Sequence, residues 1–430
     1  MSLALISMFV LFFGLCAIGL PIGFAMISSG IAFLALEGRD LGLIADQIMN
    51  NLYRSFVLLA VPLFIFAADV MNLGSISDRL LSFAVLLVGR IRGGLAHVNV
   101  VLSVIFSGMS GSAIADAAGP GKLMIQLMLR GERYQPGFAG AITAASATIG
   151  PIVPPSIPMV LYALVANTSV GYLFLGGVIP GLLMAGCLML AIAVIARRRG
   201  FPVEPPVARS HVVPIVRDAF PALLLPVILL GGIYSGAVTP TEAAALAAAY
   251  ALLLAMGLYR ALSPRALVEV LIGSARATAV VAMVIAGAFL FNYIVSAERV
   301  PMALGGWLAT VEIPPLAFLL AINLLFLALG CVVDTLLMLL VIVPILMPSV
   351  RALGIDTVHF GVVIIVNMMI GLITPPYGEL LFVISGVTGI RLQAMIREIW
   401  PFLFVLIGAL LLMVLFPELV LWLPRQFGYR

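Results

Sequence analysis

Two stretches concentrate the backbone chemistry of this chain. Ile149-Gly150-Pro151-Ile152-Val153-Pro154-Pro155-Ser156 and Ile370-Gly371-Leu372-Ile373-Thr374-Pro375-Pro376-Tyr377 each set two adjacent prolines four residues after a glycine. Proline lacks the backbone donor and clashes with the preceding turn, and glycine tolerates unusual dihedrals, so each stretch should interrupt a helix. The interruption releases main-chain carbonyl oxygens. In lipid such oxygens persist only where neighbouring protein, water or an ion satisfies them. Upstream of each break lies a second run of small and polar residues: Ser107-Gly108-Met109-Ser110-Gly111-Ser112-Ala113 ahead of Asp116, and Gly330-Cys331-Val332-Val333-Asp334-Thr335. Hydroxyls, carboxylates and freed carbonyls are hard oxygen donors, suited to holding ions. Two such breaks in corresponding places of one hydrophobic chain point to the binding site of a membrane transporter.

The solvent dictates which elements position these residues. The chain has 430 residues, 63% of them hydrophobic and 9% charged, with a mean hydropathy of +1.26; soluble domains carry about 25% charged residues. This composition specifies an all-α polytopic membrane protein with apolar sequence for roughly ten or more spans of about 20 residues. The formal charge of +4 reads as the basic excess of cytoplasmic loops, and no basic patch interleaved with aromatics suggests nucleic acid. Cys16, Cys187 and Cys331 stand singly in apolar runs, which suits packing better than metal or redox chemistry. Residues 3–36 lack a basic n-region and are too long for a secretory signal, so they are expected to form the first span, kinked at Gly19-Leu20-Pro21-Ile22-Gly23.

In the first half, residues 41–54 are too polar to span and suit an interfacial or bracing helix. Residues 56–73 are apolar apart from Pro62 and Asp69; at that depth the carboxylate must face protein or a cavity, in a functional or a packing role. Residues 95–106 form an apolar run of about 12 residues, or about 18 Å of helix, too short for a core of about 30 Å. With the Gly/Ser tip and a second short arm to residue 129 they predict a re-entrant hairpin; close packing of small residues is the alternative. Gly121-Lys122 is not a phosphate-binding loop, because Leu123 follows the lysine and Asp116 stands where the first glycine belongs. Residues 138–148 then lead into the first break, and a new helix is expected from Ser156. Residues 171–196 form a span ending in Arg197-Arg198-Arg199, placed in the cytoplasm by the positive-inside rule.

The proline-rich tract 200–213 divides the chain into halves 1–199 and 214–430, with a cytoplasmic linker between them. Spans are expected at 219–234, 242–258, 271–295 and 402–421. Thr239-Pro240-Thr241-Glu242 reads as a capping box, and Asn292 as an interhelical hydrogen bonder. Residues 316–329, the tip 330–335 and an arm to 347 predict a second hairpin, followed by a helix from His359 to the second break. The order of hairpin then broken helix therefore repeats.

Residues 107–116 and 148–158, the tetrad at 239–242, His359-Phe360-Gly361-Val362 and residues 370–376 together resemble the large membrane subunit of TRAP transporters, the tripartite ATP-independent periplasmic type. The resemblance covers nearly the whole chain, with a longer and more charged loop at Gly131-Glu132-Arg133-Tyr134 as one departure. It implies an inverted-repeat, elevator-type secondary transporter driven by sodium, with hairpins and broken helices in the moving part. It also implies two partners, a separate small membrane subunit of about four helices and a periplasmic substrate-binding protein. The implied location is the bacterial inner membrane, and the implied cargo a carboxylate such as a C4-dicarboxylate, a sugar acid or sialic acid.

Sodium prefers oxygen ligands, and the tips and breaks supply them at positions matching those the family uses. The first site is expected from Ser107, Ser110 and the carbonyls of Gly150, Val153 and Pro155. The second is expected from Gly330, Gly371, Thr374 and Tyr377, with Asp334 close by. Ser112, Asp116, Asp334, Pro154, Pro375 and Pro376 are candidates for substrate contact or helix capping. The anion should lie between the tips, where helix N-termini offer donors. No organic cofactor is implied. A membrane enzyme is disfavoured because His97, His211 and His359 are scattered and no HExxH or Ser/His/Asp set occurs. A passive channel or structural subunit is the stronger rival.

Overall fold

The computed structural model describes residues 2–311 and 313–429, and every regular element among them is a helix. The chain opens with α1 (Leu3–Ala17), α2 (Ile22–Leu36) and α3 (Gly42–Arg54). A short 3-10 turn then leads into α4 (Ala60–Met71), and α5 (Gly74–Val88) follows. The first hairpin comprises α6 (Gly94–Ser110), α7 (Ala113–Ala118) and α8 (Pro120–Leu129), and the first broken helix comprises α9 (Pro136–Ala147) and α10 (Ile157–Ala166). Next come α11 (Val170–Arg199), α12 (Arg209–Tyr234), α13 (Pro240–Leu252, prolonged by a π-helical turn), α14 (Pro264–Ala297) and α15 (Val300–Val311). The second expected hairpin falls on α16 (Pro315–Gly330), α17 (Thr335–Leu337) and α18 (Val343–Ala352); a π-helical turn joins the last two into a stretch, Thr335–Ala352, that is long and apolar enough to cross a membrane, longer than the short arm expected from the sequence. The second broken helix, α19 (Thr357–Gly371) and α20 (Glu379–Thr388), precedes α21 (Leu392–Leu415) and α22 (Glu418–Gln426).

Six of these helical stretches are long and apolar enough to cross a membrane, seven if α3 and α4, bent by 72°, count as one. The apolar sequence that reads as ten or more spans is thus partly spent on shorter helices, α1, α2, α6, α10, α16, α19 and α20. The first expected span also differs. Gly23 and Gly30 of α2 lie against Met283 and Leu290 of α14, whereas Ser2 bonds Glu298 and Phe9 meets Phe291. Therefore α2 runs parallel to α14 and α1 antiparallel to it, so residues 3–36 fold back as a helical hairpin. A Gly-Leu-Pro-Ile-Gly junction permits either a kink or a reversal, and packing on α14 decides. The final expected span, 402–421, is divided between α21 and α22, which are separated at Phe416–Pro417.

Capping follows the local sequence. Thr239 and Glu242 form the reciprocal capping box at the start of α13, and Asn292 donates to the carbonyl of Leu340 at 2.8 Å. The tract after α11 is tied to the first half: Gly93 N–H donates to Pro202 O at 3.0 Å, and Arg133 holds both carboxylate oxygens of Glu204 at 2.8 and 2.9 Å.

The two broken helices organise the centre. Residues 358–371 of α19 and 137–147 of α9 are buried throughout, as expected of helices apolar on every face. Gly140 of α9 lies beside Ile384 of α20, while Tyr162 of α10 donates to Thr357 O at the start of α19 at 2.7 Å. The pair therefore runs antiparallel, the arrangement of an inverted repeat. In each half an asparagine clamps the hairpin's first arm to the broken helix beside it. Asn99 of α6 donates to Thr143 of α9 at 2.6 Å, and Asn367 of α19 donates to the carbonyl and side-chain oxygens of Asn323 in α16, both at 2.8 Å. Bonded polar pairs of this kind in an apolar interior fix register.

Candidate functional site

Both tips and both breaks open onto one cavity of about 490 Å³. Tip one contributes residues 110–115 and the first break Pro151, Ile157 and Pro158; tip two contributes Asp334, Thr335 and Leu336, and the second break Leu372 and Glu379. The remaining wall comes from α4 (Ile65, Ala68, Asp69) and α14 (Ala277, Val280, Val281). Four helices begin at this cavity: α7, α10, α17 and α20. Helix N-termini present unbonded N–H groups and the positive end of the peptide dipoles, a setting that favours an anion. The polar side chains lining the space are nonetheless hydroxyls and carboxylates, with no lysine, arginine or histidine among the described lining residues.

The first half-site is closed and rich in oxygen. Ser107 and Ser110 are buried in the last helical turn of α6 rather than in a loop, and Gly111 turns the chain with φ +60°. A side chain on Gly111 would stand 2.5 Å from the carbonyl oxygen of Pro155, so tip and break are in direct contact. Ser107 donates to Val104 O at 2.6 Å. Ser110 donates to Oδ1 of Asp116 at 2.5 Å, and the other oxygen, Oδ2, is buried with no hydrogen-bond partner. A side chain on Gly150 would lie 2.7 Å from that Oδ2. Among the described residues, no backbone N–H donates to the carbonyls of Gly150, Val153, Pro154 or Pro155. Freed carbonyls, a buried serine and a half-satisfied carboxylate thus converge, a donor set suited to a small hard cation. The cap of α7 is Ser112, which accepts from Ala115 N at 3.3 Å, so Asp116 is left to face the break. Val153 packs its side chain against Gly181, and Pro154, Pro155 and Ser156 are buried.

The second half-site is built from backbone. Gly330 and Gly371 touch: a side chain on Gly371 would meet the Cα of Gly330 at 2.9 Å and its carbonyl oxygen at 3.1 Å. Thr374 turns its hydroxyl back to Ile370 O at 2.8 Å, and its N–H donates to Gly371 O at 3.0 Å. Asp334 caps α17, accepting from Leu336 N at 2.9 Å and Leu337 N at 3.2 Å. Pro375 is half-buried, Pro376 is exposed, and the exposed Tyr377 packs its ring on Phe382, which leaves its backbone at the break. Both Pro-Pro bonds, Pro154-Pro155 and Pro375-Pro376, are cis.

Sequence reasoning misses two contributors and leaves the role of a third open. Glu379 and the asparagine clamps give no periodic or motif signal. Asp69 stands out as a carboxylate in an apolar run, but only the packing of α4 on α14 places it at the cavity.

Comparison with known proteins agrees with this architecture. The family model described as "Tripartite ATP-independent periplasmic transporter, DctM component" matches residues 9–419. The sialic acid TRAP transporter large permease protein SiaM of Vibrio cholerae is 45% identical over 418 residues, covering 97% of each chain. The C4-dicarboxylate TRAP transporter large permease protein DctM of Pseudomonas aeruginosa is 40% identical, covering 87% of each. The fold is also that of the YdaH transporter of Alcanivorax borkumensis, with a TM-score of 0.65 and 14% identity over 88% of this chain and 89% of that one. The relatives are transporter permeases rather than enzymes. With its membrane-spanning helices, this multi-pass chain belongs to the DctM component family of tripartite ATP-independent periplasmic transporters.

Proposed function

We propose that the chain is the large membrane subunit of a sodium-coupled importer of organic acids in the bacterial inner membrane. It receives a carboxylate from a periplasmic binding protein and works beside a separate small membrane subunit. One observation supports this reading above the rest: four helices begin at a cavity that has no basic side chain among its described lining residues, and the oxygen-rich first half-site lies behind its first tip. A carboxylate placed there finds helix N-termini but also Asp69, Asp334 and Glu379, so cations must accompany it. Coupling follows from that requirement. The hairpins and broken helices form the moving part, carried past the α4–α14 wall as in an elevator.

The energetics are adequate. A tenfold sodium gradient contributes about 1.4 kcal/mol per ion, and a 100 mV potential about 2.3 kcal/mol per charge. Two ions therefore supply about 7 kcal/mol, a concentration ratio on the order of 10⁵ for a neutral substrate. Each negative charge on the cargo gives back about 2.3 kcal/mol.

Proteoliposomes holding the chain, its small partner and the binding protein provide the test. Uptake of a labelled organic acid should require an inward sodium gradient and stop when the gradient is collapsed. Equal uptake without the gradient would identify a passive channel instead.

A further inference from the structure

The part of the cavity wall that α4 and α14 supply is apolar except at one place. From α4 and α14 the cavity receives Ile65, Ala68, Ala277, Val280 and Val281, and among them Asp69. Its Oδ2 accepts from the hydroxyl of Ser274, a buried residue of α14, at 2.5 Å. Its other oxygen takes no hydrogen bond from any described residue. A carboxylate at membrane depth is costly unless satisfied, and this one is held by one oxygen with the side chain at the cavity wall. It belongs to α4, neither to a tip nor to a break, and its one hydrogen-bond partner among the described residues is a hydroxyl of α14. The donor set around Asp116 has no counterpart here, so the arrangement suits a hydrogen-bond donor of the cargo rather than a coupling ion.

We infer that Asp69, oriented by Ser274, is a specificity-determining residue. It accepts from a hydroxyl of the cargo and, with Asp334 and Glu379, turns away a second carboxylate. This rests on the transport reading above and sharpens it to one substrate class, polyhydroxylated monocarboxylates. The chemistry runs both ways. Donor groups on the cargo satisfy the free oxygen of Asp69. A second carboxylate would offer no donor there and would meet an acidic side chain of the wall, of tip two or of the second break, in a low-dielectric space where like charges repel strongly.

The test is equilibrium binding to the purified chain with its small membrane partner in nanodiscs at saturating sodium, without the binding protein, so that the permease's own preference is read. The probes are N-acetylneuraminate, a polyhydroxylated monocarboxylate, and succinate, a dicarboxylate. The native protein should prefer the first by at least about tenfold, and Asp69→Asn should reduce that ratio about tenfold with the sodium half-saturation unchanged. Ser274→Ala should move the ratio in the same direction by less, and it serves in place of Asp69→Asn if that variant does not assemble. Equal binding of both acids by the native protein, or an unchanged ratio in both variants, would overturn the inference and leave the transport reading standing. A loss of sodium affinity in Asp69→Asn without a change in ratio would make Asp69 a cation ligand and also overturn it. Binding of neither acid would count against the carboxylate-transport reading itself.

Discussion

The two half-sites repeat one plan with different materials. At the first, tip and break are buried, the cap of the outgoing helix is the neutral Ser112, and the carboxylate of Asp116 sits behind it with one oxygen unpartnered. At the second, the carboxylate of Asp334 is itself the cap and is satisfied by two backbone N–H groups, while two glycines bring main chain against main chain. The second break is also the more open, with Pro376 and Tyr377 exposed. The same backbone interruption can thus be completed by a side-chain charge or by main-chain approach. The first solution depends on what a residue is, and the second on how close two chains can come.

Substitutions separate these solutions. The largest effect is expected from Asp116→Ala, which removes the charge facing the freed carbonyls: apparent sodium affinity, read from the sodium dependence of uptake, should fall by about 100-fold while membrane insertion is kept. A fall no larger than that of Asp334→Ala would erase the distinction between the halves. Gly371→Ala puts a methyl 2.9 Å from the Cα of Gly330, a clash with main chain that cannot rotate away. Uptake should drop by about tenfold, and a smaller effect from Ser at the same position would argue against crowding as the cause. Ser110→Ala leaves Asp116 Oδ1 without its donor, and the sodium half-saturation should shift by about three- to tenfold. Asp334→Ser preserves a cap and should stay within about threefold of native uptake, whereas Asp334→Ala should lose about 1 kcal/mol of stability. The smallest change lies outside both half-sites. Removing the capping box with Thr239→Val should cost about 1 kcal/mol in thermal unfolding and leave sodium dependence as it was.

Much of this plan was legible in the sequence because it is carried by residues that act on the backbone. Paired prolines after a glycine announce a broken helix without tertiary information, and a short apolar run before each tip announces a helix below span length, as α6 and α16 are; the arm after the second tip, Thr335–Ala352, is instead of span length, because its π-helical turn carries the helix on through Val343. The capping box at Thr239 and Glu242 is equally local. What stayed hidden depends on contact between distant segments. The Gly19–Gly23 junction is compatible with a kink or a reversal, and only the packing of α1 and α2 on α14 decides between them. Asp69 could be marked as costly at its depth, but nothing in its neighbours says that α14 supplies Ser274. Asp116 and Asp334 look alike in sequence, and they differ in their place on the outgoing helix: Asp334 is itself the cap of α17, whereas Ser112 caps α7 and Asp116 lies four residues further on.

The antiparallel course of the two broken helices has a consequence for where their interruptions sit. Because α9 lies beside α20 and α10 beside α19, the two breaks come to one cavity instead of opening at separate places in the molecule. Two backbone defects that would each be costly alone in an apolar interior are thereby gathered into a single polar spot, and the rest of the chain is left free to be uniformly apolar.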